Sequence, residues 1–330
     1  MRVLAVGNWY PPAAGGGYER IFAGTVAALR AAGHEVRVLS AGGDGALAWY
    51  WRDGDFFVPS WRERRAIARR NRELMAPAVE WADVVSWWGM GGMPLSLLEV
   101  GRPAVGVVGD GWMVYGPRVD RWSHVDLGAV ARWIFISRIA LERAAELHRL
   151  PRAEVVHPGV DPAAFPPAPA REWAWRLACV GRVAPGKGVE TARAAVALLP
   201  EATLAVDGPG GDVQTPSDRV HETYAAADAV LFPVEWPEPW GLVPLEAMSV
   251  GRPVVATGTG GSGEYLEDGR NCLLFAPGDA EGLAAAVRRL AADPGLRARL
   301  VAGGRATAAR FSQPAFEAAV VRALEEEARR

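Results

Sequence analysis

MRVLAVGNWYPPAAGGGYERIFAGTVAALRAAGHEVRVL, residues 1–39, decides the fold. Val3–Val6 is a short apolar run, and Tyr18 to Ala32 then sets Ile21, Thr25, Ala28 and Ala32 on one helical face. Gly33 ends that helix as a C-terminal glycine should, and Glu35–Leu39 reads as the next strand. Strand, helix and strand in so little chain describe a parallel sheet covered by helices. The same alternation continues with strands expected at Asp83–Trp87, Ala104–Val108, Trp133–Ile136 and Glu154–Val156. HPGVDPAAFPPAPAREW, residues 157–173, carries five prolines and no periodicity, so it reads as a linker.

A second series follows: strand Leu177–Val180, helix Val189–Leu199, strand Thr203–Val206, helix Val220–Ala227 and strand Ala229–Phe232. Helix Gly241–Val250 and strands Val254–Ala256 and Cys272–Phe275 complete it. The Ala- and Arg-rich end is helical, broken near Pro294 and at Ser312–Pro314. The fold class is therefore α/β, with two doubly wound Rossmann-like domains facing a cleft. Residues 1–165 form the first domain and 166–311 the second, and the helix 312–330 is expected to pack back on the first. Ligands of such sheets bind where the carboxyl ends of the strands emerge.

Composition narrows the function classes. Half of the 330 residues are hydrophobic and 22% are charged, which excludes a disordered or fibrous chain. A formal net charge of −2 gives no whole-protein electrostatic case for nucleic acid. Cys179 and Cys272 are too few for a disulfide scaffold, and with five histidines they show no metal-ligand spacing. The N-terminus lacks the basic start and apolar run of a signal peptide, and no apolar stretch reaches the ~20 residues that span a bilayer. A cytoplasmic location is expected. Of the 36 basic residues only Lys187 is lysine.

Three stretches carry chemistry. In GNWYPPAAGGGYER, residues 7–20, the glycines 15–17 allow close approach to the backbone, and the helix start at Tyr18 offers free amides to an anion; a flexible loop is the alternative. In CVGRVAPGKGVE, residues 179–190, Arg182 and Lys187 bracket a Pro-Gly turn above a strand end. Paired cations there suit a diphosphate, the alternative being two solvated surface cations. In PVEWPEPWGLVPLEAMSVGRPVV, residues 233–255, Gly241, Leu242 and Val243 form a helix N-terminus with unpaired N–H groups for phosphate. Glu246 lies roughly 7 Å further along that helix, within reach of a ribose, and Glu238 precedes the helix, placed to meet whatever the diphosphate carries. One carboxylate at each end of a phosphate-binding helix fits a nucleotide-sugar.

Together these motifs resemble the retaining, GT-B-fold glycosyltransferases of family 4. The likeness includes the glycines before YER, GHEV, HPGVD, GRVAPGKG, YAAADAVLFP, the Glu-x7-Glu pair, GRPVVAT and EYLEDGRNCLLFAPGD, nearly the whole chain and most densely residues 177–280. The resemblance implies that Arg182 and Lys187 bind the diphosphate and stabilise the leaving nucleotide. It implies that Glu238 faces the donor sugar, Glu246 the ribose, and Gly16 and Gly17 the distal phosphate. The implied activity is transfer of a sugar from a nucleoside diphosphate donor to an acceptor hydroxyl, with retention and without a metal or other cofactor. A uridine diphosphate donor is favoured over a guanosine one. A GT-B-like nucleotide-sugar epimerase and a non-catalytic nucleotide-sugar-binding protein are the competing readings.

Three departures matter. Gly109 stands where many relatives carry histidine before Asp110, which leaves Asp110 as the polar acceptor-side group, either an acceptor partner or weak base, or a turn-forming residue. Pro158 replaces an asparagine. The stretch DGPGGDVQTPSDRV, residues 207–220, is short, so base contacts fall to Val213, Gln214 and Thr215. Trp87, Trp88 and Trp112 are expected to line a flat or apolar acceptor site, with core packing as the alternative. Arg62, Arg65, Arg69 and Arg72 form one helical stripe, read as a solvated face with Arg-Glu pairs in preference to a membrane contact. The expected partners are the donor and a small-molecule, saccharide or lipid-linked acceptor, with no nucleic acid.

Overall fold

Among the described residues, eleven parallel strands in two separate sheets carry the architecture. The computed structural model describes all residues except 12–15, 42–45, 53–54, 120–125 and 151. Its contacts divide into two units, Met1–His157 with Ala315–Arg330, and Pro158–Pro314.

The first unit runs β1 (Arg2–Gly7), α1 (Gly17–Ala31), β2 (Glu35–Leu39), a short hairpin of β3 (Trp51–Arg52) and β4 (Asp55–Phe56), α2 (Trp61–Trp81) and β5 (Val84–Trp88). It continues with β6 (Ala104–Val108), α3 (Trp112–Val119), β7 (Arg132–Phe135), α4 (Arg138–Ala145) and β8 (Ala153–Val155). The sheet order is β2-β1-β5-β6-β7-β8, so the chain reverses its direction of travel between β1 and β5. Helices cover both faces of the sheet, and its inner strands are buried over their length, which is why they are unbroken apolar runs. Ser60 caps α2 with Glu63 in a reciprocal box.

Trp87, Trp88 and Trp112 are buried in this core, at most 1% exposed, and present no surface to an acceptor. The Trp88 ring stacks on Phe22 at 4.9 Å and its N–H donates to Ser86 Oγ, while the Trp112 N–H donates to the Met93 carbonyl. Both faces of β5 are covered, so neighbouring tryptophans on opposite faces both end inside. On α2, Arg72 donates to the Ser96 carbonyl, and the guanidinium groups of Arg62 and Arg65 lie 5.2 and 5.3 Å from the centre of the Trp61 ring. Among the described residues no helix is long and apolar enough to cross a membrane.

The second unit comprises β9 (Arg176–Val180), α5 (Val189–Ala197), β10 (Thr203–Asp207), α6 (Val220–Ala226), β11 (Ala229–Phe232), α7 (Leu242–Val250), β12 (Val254–Ala256), β13 (Leu273–Leu274), α8 (Ala280–Ala292) and α9 (Pro294–Arg310). Its order, β10-β9-β11-β12-β13, reverses between β9 and β11. The last helix, α10 (Gln313–Ala328), begins at the end of this unit, and its residues from Ala315 onward group with the first. There Phe316, Val320 and Leu324 are buried, and Arg152 and Arg132 hold the Glu327 carboxylate at 2.5 and 3.4 Å.

Candidate active site

The loops that leave β9 and β11 meet at the reversal point of the second sheet, and their glycines make the meeting possible. A Cβ on Gly188, whose φ is +71°, would lie 1.8 Å from the Pro233 carbonyl oxygen, so only glycine lets the two loops approach this closely. The Glu235 amide donates to the Gly186 carbonyl at 2.8 Å, and the Thr191 hydroxyl donates to Glu235 Oε1 at 2.5 Å.

These ties bring Lys187 onto Glu238, with Nζ 2.6 Å from Oε2. The Trp236 indole N–H donates to the same oxygen at 2.8 Å, and the ammonium lies 5.2 Å from the centre of the Trp236 ring. Glu238 is thus held through one oxygen, and its side chain is only 14% exposed. Arg182 sits on the same loop as Lys187, exposed and with no hydrogen-bond or ion-pair partner among the described residues.

Gly241 is the N-cap of α7, with no side-chain cap, so the first amides of the helix lack a capping partner. The buried Tyr265 hydroxyl donates to the Gly241 carbonyl and fixes this turn. Burial, with Glu238, Cys272 and Glu246 nearby, pushes that phenol well above its usual range, so it stays a donor. One turn into α7, Glu246 is 3% exposed and accepts from the buried Tyr224 hydroxyl at 2.6 Å. Leu242 and Val243 lie in the first turn, between the two carboxylates in sequence. Asp207, 2% exposed, accepts from the Thr215 amide at 2.8 Å and from the Thr223 hydroxyl, so the short loop carrying Val213 and Gln214 is anchored at both ends. Val213 and Gln214 themselves are exposed.

In the first unit Gly16 is the N-cap of α1 and Gly17 its first residue; the loop before them, 12–15, lies outside the described residues. Asp110 follows β6 and accepts from the Gly91 amide through Oδ2 and the Trp112 amide through Oδ1, both at 2.9 Å. Burial raises its pKa, and those two amides pull against the rise. The place of a histidine at 109 is taken by Tyr18. A Cβ on Gly109 would fall 1.8 Å from the Tyr18 ring, whose hydroxyl donates to the Val107 carbonyl and accepts from the Gly89 amide.

Tyr18, Trp236, Tyr265 and Tyr224 were not legible as site residues, because their roles are contacts to groups distant in sequence. Trp240, two residues after Glu238 in the chain, is 2% exposed and donates to the Pro158 carbonyl, a core residue and no part of the site surface.

Residues 213–307 match the family model described as glycosyl transferases group 1. The chain is 29% identical to a glycogen synthase of Mycobacterium tuberculosis, over 89% of this chain and 87% of that protein. In sequence the chain is similar to glycosyltransferases, and its fold is the GT-B fold. Among solved structures, the chain resembles sucrose-phosphate synthase from Thermosynechococcus elongatus with a TM-score of 0.80 at 18% identity, over 99% of this chain and 98% of that one. It resembles HepE of Anabaena, solved with UDP-glucose, with a TM-score of 0.70 at 18% identity, over 99% and 100%. Both likenesses concern the fold.

Proposed function

We propose that this chain moves a hexosyl group from a uridine diphosphate sugar to an acceptor hydroxyl, with retention of anomeric configuration and without a divalent metal. The observation that carries the reading is the grouping of Lys187, Glu238 and Trp236 beside the uncapped start of α7, with Glu246 held by Tyr224 within the same helix.

As the bond between the anomeric carbon and the phosphate oxygen lengthens, negative charge gathers on the diphosphate and positive charge on the sugar ring. Arg182, Lys187 and the amides of Gly241, Leu242 and Val243 stabilise the first, which is the work a divalent ion does elsewhere. Glu238 accepts from the donor sugar's hydroxyls through its free oxygen, and Lys187 turns from Glu238 to phosphate when donor arrives. Glu246 accepts from the ribose, and the loop carrying Val213, Gln214 and Thr215 meets the base. The acceptor oxygen bonds to the anomeric carbon on the face the phosphate leaves, and its proton passes to the departing phosphate oxygen. The products are a glycoside and UDP, and no protein nucleophile takes part. Gly16 and Gly17 approach the distal phosphate, and Asp110 serves the acceptor. The similar structure that holds UDP-glucose supports the choice of base.

Glu238→Ala should abolish most transfer with UDP affinity kept, and Glu246→Ala should weaken UDP binding. A titration of UDP by thermal shift together with a transfer assay separates the two. Wild-type transfer by both variants would overturn the site assignment, and donor turnover without a transferred sugar would point to the epimerase.

A further inference from the structure

Glu238 is fixed at its backbone and held at one end of its carboxylate. A Cβ on Gly260 would lie 2.3 Å from the Glu238 carbonyl oxygen and 2.5 Å from its amide nitrogen, and the Gly261 amide donates to that carbonyl at 2.7 Å. Among the described residues two side chains donate to the carboxylate, Lys187 Nζ at 2.6 Å and Trp236 Nε1 at 2.8 Å, and both use Oε2. The last torsion of a glutamate has broad wells, so these two bonds set the plane of the group and the direction of Oε1.

The two donors differ in what a diphosphate does to them. Lys187 is a compact charge on a flexible four-carbon stem, and a phosphate competes with Glu238 for it. The Trp236 indole is neutral and carries a single N–H. Its stem is also held. A Cβ on Gly186 would lie 3.3 Å from Trp236 Cβ, and the Glu235 amide just before it donates to the Gly186 carbonyl at 2.8 Å. The Thr191 hydroxyl binds the Glu235 carboxylate at 2.5 Å, and Pro237, between Trp236 and Glu238, locks one backbone torsion of the link. The Trp236 side chain is nevertheless 42% exposed, so burial of apolar surface is a weak reason for a tryptophan at this place. Its N–H on Glu238 is the contact that calls for it.

We infer that Trp236 is a positioning residue for the donor sugar: when a diphosphate draws Lys187 away, the indole N–H stays on Glu238 Oε2 and keeps Oε1 turned to the sugar's hydroxyls. The inference rests on the donor reading above and adds how its sugar-facing carboxylate keeps its orientation once the ion pair is broken. The contact therefore enters the affinity for the sugar portion of the donor rather than for UDP. It depends on the N–H, so a donor of another shape can replace it and a ring without one cannot.

The test measures dissociation constants on the full chain by calorimetry, for UDP and for UDP-glucose, UDP-galactose and UDP-N-acetylglucosamine. Trp236→Phe keeps a ring and loses the N–H, whereas Trp236→Gln loses the ring and keeps an N–H donor. For the sugar donor that wild type binds most tightly, Trp236→Phe should lower affinity about tenfold relative to UDP, as expected for one hydrogen bond to a charged group. Trp236→Gln should recover most of that loss. In protein carrying isotope-labelled tryptophan, the indole NMR signal that Trp236→Phe removes should keep its hydrogen-bonded, downfield proton position when UDP is added. An unchanged ratio in Trp236→Phe would overturn the inference, as would movement of that signal to the position of a solvated indole on UDP binding. A loss in Trp236→Gln as large as in Trp236→Phe would also overturn it and assign the ring face to the sugar instead. Wild type that binds UDP but none of the three sugar donors counts against Trp236 alone. Wild type that fails to bind UDP removes the donor reading itself, and this inference with it.

Discussion

Gly109→Ala tests the packing that replaces histidine with tyrosine. The new methyl would sit 1.8 Å from Tyr18 Cε2, 2.4 Å from Cδ2 and 2.6 Å from Cζ, so the ring must move. Its hydroxyl is tied at 2.8 Å to the Val107 carbonyl and at 3.2 Å to the Gly89 amide, and movement breaks both bonds. Each lost bond costs about 1 kcal/mol. Forcing extra volume into a packed site adds about 1–3 kcal/mol. Gly109→Ala should therefore destabilise by about 3–5 kcal/mol, against a gain of at most about 1 kcal/mol from a stiffer unfolded chain. Tyr18→Ala alone removes a half-buried ring and costs about 3 kcal/mol. Once the ring is gone the methyl has room, so adding Gly109→Ala to Tyr18→Ala should cost almost nothing. The double-mutant cycle then shows a coupling of about 3–5 kcal/mol, at or above the top of the range expected for residues in contact. Urea unfolding followed by tryptophan fluorescence is a suitable assay, because ten of the fourteen tryptophans precede residue 134. Additive effects in the cycle, or a Gly109→Ala protein as stable as wild type, would refute the argument that Tyr18 fills this space.

Three further outcomes follow from the geometry. Asp228 is buried, which raises its pKa, but Arg176 and the amides of Arg176 and Ala174 more than offset this and hold it below the usual carboxylate range. Its stabilisation is therefore present above the unfolded pKa of about 4 and is lost as pH falls through the folded value. The stability gap between wild type and Asp228→Asn, measured by urea titration, should be widest near neutrality and close on acidification; a gap independent of pH would contradict it. Burial pushes the thiols of Cys179 and Cys272 up to about 12, so at pH 8 iodoacetamide should label neither until the protein unfolds. Rapid labelling of the native protein, read by mass spectrometry, would count against that burial. On the proposed mechanism, in which Arg182, Lys187 and the start of α7 supply the positive potential at the diphosphate, protein treated with EDTA should keep its transfer rate, and strict dependence on added magnesium would defeat that charge argument.

Much of the sheet architecture was legible because buried parallel strands are apolar runs bounded by turn residues. Glu35–Leu39, Ala104–Val108, Ala229–Phe232 and Val254–Ala256 coincide with β2, β6, β11 and β12. The hairpin of β3 and β4 was not, since strands of two residues carry no period. Aromatic content near a strand end was read toward an acceptor surface, whereas Trp87, Trp88 and Trp112 fill the core. Residue type says that a side chain is large and apolar; only the layers above and below β5 say which way it faces.

The local pattern of glycines, carboxylates and basic residues thus determined the strand–loop–helix units by itself, because hydrophobic period and turn chemistry act over a few residues. It also marked the turn with Lys187 and the helix with Glu246. What only the tertiary structure decided are pairings across long stretches of chain: Lys187 with Glu238 and Trp236, Tyr224 with Glu246, and Tyr18 over Gly109. These depend on which strands become neighbours at each sheet reversal. Hydrogen bonds and steric contacts act over a few ångströms of space, and separation along the chain does not encode that distance.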